Sequence, residues 1–242
     1  MDIKISPSIM LAPWDDWRVQ NTVWQRRQLG LEGYPNVRVH QDNGWKSPWK
    51  TAELCHYDFL STGATHHLLL QDDVVWHPGA IGQLERAVEA HPDKLIQPYN
   101  ARGKVKEAGE AGMSWLTGKA TWGTVTCWPE PLLREFLAWE REWIRPDSKH
   151  DDGRYDCFLH WAGVDSWITA PTLFEHAEVR STLGHVTPLP SSKRSSWVWR
   201  PDLNGEVDWS TEPMSTGWRQ STPSSKRQIK PEKWEQFVAK TS

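Results

Sequence analysis

The sequence contains no apolar run that approaches the roughly 20 residues a helix needs to cross a membrane. Residues 1–13 also lack the charged stretch followed by an apolar stretch that is typical of a secretory signal. No internal repeat is visible. We therefore expect a cytoplasmic protein without a membrane span.

Cysteine pairs and an excess of charge are both missing. The three cysteines, Cys55, Cys127 and Cys157, are widely spaced and form no CxxC pair. This pattern favours reduced thiols in a cytoplasm over a disulfide framework or a zinc site. The 28 basic and 31 acidic residues leave a formal net charge of −3. Any contact with a polyanion must therefore be local.

Tryptophan, by contrast, is abundant, with 18 residues. Indole faces can line a sugar site, but tryptophan also fills protein cores because each side chain buries a large area. The sequence leaves both interpretations open. With 242 residues and 38% hydrophobic content, the chain can build one substantial core, and we expect one domain with a tail.

Strand and helix patterns alternate along the first 170 residues. The strand patterns at 3–11 and 36–40 flank a helical segment at 15–29, which makes a βαβ unit and predicts a parallel sheet. Further strands are predicted at 67–70, 95–99, 121–128 and 166–170, and further helices at 48–60, 78–90, 130–143 and 154–162. The expected fold is α/β and Rossmann-like, with a mixed, mainly parallel sheet flanked by helices.

The composition changes beyond about residue 188, where serine, proline and tryptophan alternate with charges and no period is sustained. We therefore predict a catalytic domain at 1–187 and an irregular extension at 188–242. The segment 193–200 combines basic residues with two tryptophans, which is a pattern that can contact the phosphates and bases of DNA.

An acidic pair, Asp72-Asp73, directly follows the apolar strand pattern at 67–70. The carboxyl end of a parallel strand opens on the ligand crevice of an α/β sheet. Mn²⁺ and Mg²⁺ prefer oxygen ligands and usually take one or two carboxylates together with substrate phosphates. The pair is therefore a candidate metal site, although acids at a strand end are also common in ordinary loops.

The segment 67–74, followed by His77-Pro78-Gly79 and a helix, resembles the DxD-type motif of the GT-A glycosyltransferases. Gln71 replaces the first acid of the usual triplet, so it can hydrogen-bond a ribose but cannot bind metal as a carboxylate would. The resemblance implies a GT-A-like fold, with Asp73 as the metal ligand and with Asp72 and Gln71 orienting the ribose or sugar of the donor.

Other motifs resemble the same family in their order along residues 3–187. Pro13 and Arg18 are similar to its nucleotide-contacting loop, and Asp42 is similar to its base-contacting acid. Arg18 is also compatible with a solvated charge on a helix, and Asp42 with a turn in Gln41–Gly44. Trp122, in a Trp-Gly pair before a strand, resembles the acceptor-side segment and is included among the residues expected near the donor.

Two later motifs complete the resemblance. Asp151 and Asp152 are similar to the acidic motif that supplies the catalytic base in inverting members, although they can equally cap a helix or form a turn. His176 resembles the histidine that completes the metal site in many members, and it is also compatible with an ordinary surface or core histidine.

The resemblance implies a transferase that uses Mn²⁺ or Mg²⁺ to move a sugar from a nucleotide-sugar donor to a hydroxyl acceptor. Inversion is expected if Asp151 or Asp152 is the base, whereas retaining members use the same metal site and would leave this acidic pair with a different role. The expected acceptor is a glycan or the DNA of a phage or bacterium. One alternative is a metal-dependent phosphohydrolase or nucleotidyltransferase, against which the absence of a GxxxxGK[ST] loop weighs. The other is a non-catalytic carbohydrate- or nucleic-acid-binding protein that uses its tryptophans.

Overall fold

A computed structural model of the chain describes residues 2–45, 47–100, 104–119, 121–177, 197–219 and 222–241. In these residues the strands are β1 (Ile5–Leu11), β2 (Arg38–Gln41), β3 (His66–Gln71), β4 (Val74–Trp76), β5 (Ile96–Gln97), β6 (Trp115–Lys119), β7 (Val125–Pro129), β8 (Ser166–Thr169), β9 (Phe174–His176) and β10 (Met214–Arg219). The helices are α1 (Asp16–Leu31), α2 (Pro48–Phe59), α3 (Ala80–Ala90), α4 (Lys104–Glu110), α5 (Glu130–Trp143), α6 (Asp151–Ala162), α7 (Pro201–Asn204), α8 (Thr222–Gln228) and α9 (Trp234–Thr241), with a 3₁₀ turn at Pro231–Lys233.

Eight of these strands form one sheet in the order β10-β6-β8-β5-β7-β3-β1-β2. The pairs β1–β2, β1–β3, β5–β8 and β6–β10 are parallel, and β3–β7, β5–β7 and β6–β8 are antiparallel. The α/β, Rossmann-like fold predicted from the sequence, with its mixed and mainly parallel sheet, is confirmed. Because β1, β2 and β3 run in one direction, their carboxyl ends meet at one edge of the sheet. The antiparallel β7 begins at that same edge.

Each face of the sheet has its own hydrophobic core. Alternate residues of β3 enter different cores, since Leu68 and Leu70 lie in one and Leu69 in the other. This explains why residues 68–70 of the strand are all apolar: both faces of the strand are buried there. Helices α1 and α3 contribute to the first core, and helices α2, α5 and α6 contribute to the second.

Helix α1 leaves two of its large apolar side chains in contact with solvent: Trp17 is 37% exposed and Val23 is 65% exposed. The buried residues of α1 are Arg18, Asn21, Thr22, Gln25 and Leu29. A polar face is buried here because it covers the polar loop that follows β3, as the hydrogen bonds of the candidate site show.

Several predicted boundaries are corrected by the structure. Helix α6 begins at Asp151 rather than Arg154, because the two aspartates occupy its first turn instead of a preceding loop. Strand β7 begins at Val125, and the residues just before it form a turn. Between the predicted strands at 95–99 and 121–128, the structure adds α4 and β6, which the sequence patterns did not predict. Burial of Val105 and Ala108 against the sheet stabilises that short helix.

The described part of the predicted extension contains regular elements. Strand β10 pairs with β6 at one end of the main sheet, and helices α8 and α9 pack on α6. Ile229 and Phe237 are buried in the second core. How the chain divides into domains stays a prediction. Of the basic, tryptophan-containing segment 193–200, residues 193–196 lie outside the described residues.

Cys55, Cys127 and Cys157 are buried, and none of them forms a disulfide within the described part of the chain. In the part of the chain that the structure describes, no helix is long and apolar enough to cross a membrane.

Candidate active site

The carboxyl ends of β1, β2 and β3 are joined by hydrogen bonds at the common edge of the sheet. The Asp42 N–H donates to the Leu11 carbonyl at 2.8 Å. The Ala12 N–H donates to Asp72 Oδ2 at 2.5 Å. The loops after the three strands therefore meet, as expected where parallel strands end together. The predicted residues Pro13, Asp42, Gln71, Asp72 and Asp73 all belong to this edge.

Asp72 and Asp73 form a buried charge cluster with Arg18 and His176. The Arg18 guanidinium donates to Asp72 Oδ1, and its Nη2 lies 2.9 Å from Asp73 Oδ2. His176 Nε2 lies 3.2 Å from the same Asp73 oxygen. Strands β4 and β9 bring the histidine there, because Val74 pairs with His176 and the Ala177 N–H donates to the Asp73 carbonyl.

The two aspartates have different pKa values because their neighbours differ. The pKa of Asp72 is raised to about 7, mainly by burial and also by the negative charge of Asp73, and Arg18 offsets only part of this. Burial also acts to raise the pKa of Asp73, but His176 and Arg18 outweigh it, so that pKa lies below its ordinary value. Asp73 is therefore the acid that stays ionised near neutral pH.

One oxygen of Asp73 suits a metal ion. Oδ1 is buried and has no hydrogen-bond partner among the described residues, while Oδ2 is shared by Arg18 and His176. A buried carboxylate oxygen without a partner is costly unless a cation or donor reaches it. No group of three or more His, Cys, Asp or Glu side chains that could hold a metal occurs among the described residues. A hard divalent cation held by Asp73 and His176 would need substrate phosphates and water as its other ligands.

Helix α1 holds the Gln71–Val74 loop through two amide side chains that the sequence analysis missed. Asn21 Nδ2 donates to the carbonyls of Asp72 at 2.7 Å and Val74 at 2.9 Å. Gln25 Nε2 donates to the carbonyls of Gln71 at 2.9 Å and Val74 at 2.8 Å. The signal in the sequence is the spacing of Arg18, Asn21 and Gln25, which places three long polar side chains on one helical face.

Two aromatic side chains, Tyr99 and Trp122, lie near His176. The Tyr99 ring is 6.3 Å from the His176 ring and 6.1 Å from the Trp122 ring, measured between centroids. The backbone N–H of Trp122 donates to Gln97 Oε1 at 2.9 Å, and this hydrogen bond fixes the turn before β7. Trp122 is half-buried at this edge, so the structure brings this predicted residue close to the charge cluster.

Asp151 is buried on the other side of Gln71. The Gln71 Nε2 lies 3.5 Å from Asp151 Oδ2. Burial raises the pKa of Asp151 to about 7, and the negative charge of Asp152 acts in the same direction. Asp152 itself is exposed, and its Oδ1 accepts from the Gly153 N–H at 2.7 Å. Both aspartates therefore lie in the first turn of α6, and Asp151 is the one that faces Gln71, in the loop Gln71–Val74.

The space occupied by the Asp151 carboxylate exists because residue 123 has no side chain. A Cβ on Gly123 would lie 2.8 Å from Asp151 Oδ2. Gly123→Ala should displace the carboxylate, destabilise the fold by about 1–3 kcal/mol and lower any activity that depends on Asp151. Thermal unfolding and kinetics measure the two effects.

Gly82→Ala is the matched control for that substitution. Gly82 lies within α3, and a Cβ there meets no atom within 4 Å. Because alanine favours a helix over glycine, this variant should be stabilised by about 0.5–1 kcal/mol with its activity unchanged. Equal stability of Gly123→Ala and the wild type would show that the carboxylate has room to move.

Asp42 has a structural role that the structure makes explicit. Its Oδ1 accepts from the N–H groups of Gly44 at 3.0 Å and Trp45 at 2.7 Å, and its Oδ2 accepts from the Ser47 N–H at 3.2 Å. The turn interpretation of this residue is therefore correct, and a contact with the nucleobase stays a prediction. Pro13 is half-buried in the loop between β1 and α1, next to Ala12.

Comparison with known proteins shows likeness of fold only. No protein-family model matches this chain, and no curated protein matches its sequence. A197 from STIV is 12% identical with a TM-score of 0.46, over 74% of this chain and 87% of that protein. A mannose-1-phosphate geranyltransferase from Thermus thermophilus is 10% identical with a TM-score of 0.38, over 66% of this chain and 65% of that protein. At these values neither structure carries an argument about function.

Proposed function

We propose that this chain is a metal-dependent glycosyltransferase that moves a sugar from a nucleotide-sugar donor to a hydroxyl acceptor. The observation that carries the proposal is Asp73. This acid is buried, ionised and paired with His176, and it has one oxygen without a partner at the ligand-binding edge of an α/β sheet. Ligands bind at the carboxyl ends of parallel strands, and a divalent cation held by Asp73 would bind the phosphates of a nucleoside diphosphate leaving group.

In this proposal Asp73 and His176 hold Mn²⁺ or Mg²⁺. When bound, the cation would neutralise the negative charge that grows on the departing diphosphate. Arg18 holds both aspartates through its two terminal nitrogens, and Asn21 and Gln25 hold the backbone around them. These contacts fix the carboxylates before the donor binds, which reduces the reorganisation needed during the reaction.

Asp151 is the proposed general base. It takes the proton of the acceptor hydroxyl as the oxygen attacks the anomeric carbon, the bond to the diphosphate breaks, and the configuration inverts. A base works best when its pKa is close to the working pH, and burial of Asp151 raises its pKa to about 7. Gln71 contacts Asp151 and also belongs to the loop that carries Asp72 and Asp73, so it links the base to the donor side.

A panel of nucleotide-sugars tests the proposal. With Mn²⁺ or Mg²⁺ present, one nucleotide class at about 100 times its Kd should add about 2.7 kcal/mol of stability. This should raise the melting temperature by several degrees. The shift and slow donor hydrolysis should both disappear in EDTA. Release of phosphate or pyrophosphate without sugar transfer would instead support a phosphohydrolase or nucleotidyltransferase. No response to any donor with either metal would contradict the transferase.

A further inference from the structure

A polar groove lies between the amino end of α2 and the segment 144–149 that leads into α6. Its cavity volume is about 400 Å³. We call it the Trp45 groove. Its lining includes the indole of Trp45 and five basic side chains, which are Lys50, Arg141, Lys149, Arg154 and Lys230.

The Trp45 groove adjoins the candidate active site through two loops. Trp45 follows Asp42 closely in the chain. The Asp42 carboxylate accepts a hydrogen bond from the backbone N–H of Trp45 at 2.7 Å. The opposite wall of the groove contains Lys149, two residues before Asp151, and the Trp49 N–H donates to the Lys149 carbonyl at 3.1 Å. The groove and the candidate active site therefore share the loop after Asp42 and the segment that leads into α6.

The groove lining has an excess of positive charge, with five basic residues against the three acids Glu53, Glu140 and Asp147. Arg154 is buried and ion-paired with Glu140, and Asp147 is paired with Arg145 at 2.9 Å. Among the described residues no ion pair joins a carboxylate to the other four lining cations, which are Lys50, Arg141, Lys149 and Lys230. Lys230 Nζ instead donates to the carbonyls of Arg141 and Glu142, at 2.7 and 2.9 Å. Several cations without an acidic partner around one cavity favour a ligand with several negative charges.

An indole lies beside these cations, and one of them, Lys50, is over its ring. Trp45 is half-buried, and Lys50 Nζ lies 5.7 Å from the centroid of its ring. A nucleobase can stack on an indole while the adjoining phosphates contact lysine or arginine, which is the pairing used by single-strand binding sites. A neutral glycan would leave the cations without partners, and in a duplex the base faces are already stacked.

We propose that the Trp45 groove binds the acceptor, and that this acceptor is a single-stranded nucleic acid. Phosphodiester groups contact Lys50, Lys149 and their neighbours, and one base lies on Trp45. This inference rests on the proposed function for the role of acceptor. The binding itself requires neither the donor nor the metal.

Binding of a fluorescent single-stranded 16-nucleotide DNA or RNA, measured by polarisation in EDTA, tests the inference. The double variant Lys50→Gln/Lys149→Gln should bind about tenfold more weakly at low salt. It should also lower the magnitude of the log Kd against log salt slope by about 1.4, which corresponds to two lost phosphate contacts. Trp45→Ala should weaken binding about 5- to 150-fold, as expected for the loss of one stacked base.

Lys4→Gln/Lys106→Gln is the control, because it removes the same charge from two exposed lysines outside the groove lining, each paired with an acid. It should bind the strand like the wild type. Wild type that binds no strand at low salt, or a Lys50/Lys149 variant that matches the wild type, would overturn the inference. Displacement of the strand by a mixture of nucleoside diphosphates would also overturn it, because the groove would then belong to the donor.

The two proposals fail separately. Strand binding that depends on the groove, together with no response to any nucleotide-sugar, would contradict the transferase and leave a nucleic-acid-binding groove. A metal-dependent response to a donor without strand binding would contradict only the acceptor inference.

Discussion

Replacing Asp73 with asparagine should lower kcat/KM for sugar transfer by at least about 10²-fold, because it removes a buried carboxylate whose unpartnered oxygen suits the metal. Stabilisation by the nucleotide-sugar should lose its dependence on Mn²⁺ or Mg²⁺. Initial rates and thermal unfolding across a metal titration measure both effects. Arg18 still has Asp72 as a partner in this variant, so we expect the fold to persist.

Glu175→Gln is the matched control for Asp73→Asn. Glu175 precedes His176 in β9, and successive side chains of a strand point to opposite sides, so this change removes a nearby carboxylate that does not share the site. It should keep the wild-type rate and metal response. A metal-dependent donor response that survives in Asp73→Asn would show that Asp73 is not the metal ligand.

Replacing Asp151 with asparagine should lower kcat about 10²- to 10⁴-fold, the usual contribution of a general base. Donor binding should be unchanged, because Asp151 does not belong to the buried charge cluster that contains the proposed metal ligands. In the wild type, activity should fall as the pH drops below about 7. Burial raises the pKa of this carboxyl to about 7, so the acid form, which cannot accept a proton, dominates below that value. A pH–rate profile of kcat measures this directly.

Asp152→Asn separates the two adjacent aspartates. Asp152 is exposed and accepts from the Gly153 N–H, so its loss should affect kcat far less than the loss of Asp151. Removing its charge should also lower the pKa of Asp151, because that charge contributes to raising it, and the acid limb of the profile should move to lower pH. If Asp152→Asn instead abolished turnover while Asp151→Asn did not, the base would be Asp152.

The sequence could predict the α/β fold and the edge of the sheet that carries the site. The apolar run at 68–70, followed directly by two acids, indicates a buried strand that ends in a polar loop, and this pattern is local. The positions of Pro13 and Asp42 after the first two strands follow from the same βα alternation. Their arrival at one edge with Asp72 is a consequence of parallel pairing.

The sequence could not predict which face of α1 is buried. Trp17 and Val23 have the hydrophobicity of core residues, yet both are exposed, and Asn21 and Gln25 are buried in their place. Burial of a side-chain amide is favourable only where it can donate hydrogen bonds to carbonyl groups. Here those carbonyls belong to a loop far along the chain. No periodicity within the helix contains that information.

The local pattern of apolar and polar residues is sufficient for the strands, most of the helices and the acidic loop, because transfer of side chains from water depends mainly on each residue and its near neighbours. The site depends on non-local contacts. Pairing of β4 with β9 brings His176 to Asp73, and the missing side chain at Gly123 leaves room for Asp151. The pKa values of Asp73 and Asp151 then follow from burial and neighbouring charge, which exist only after the chain has packed.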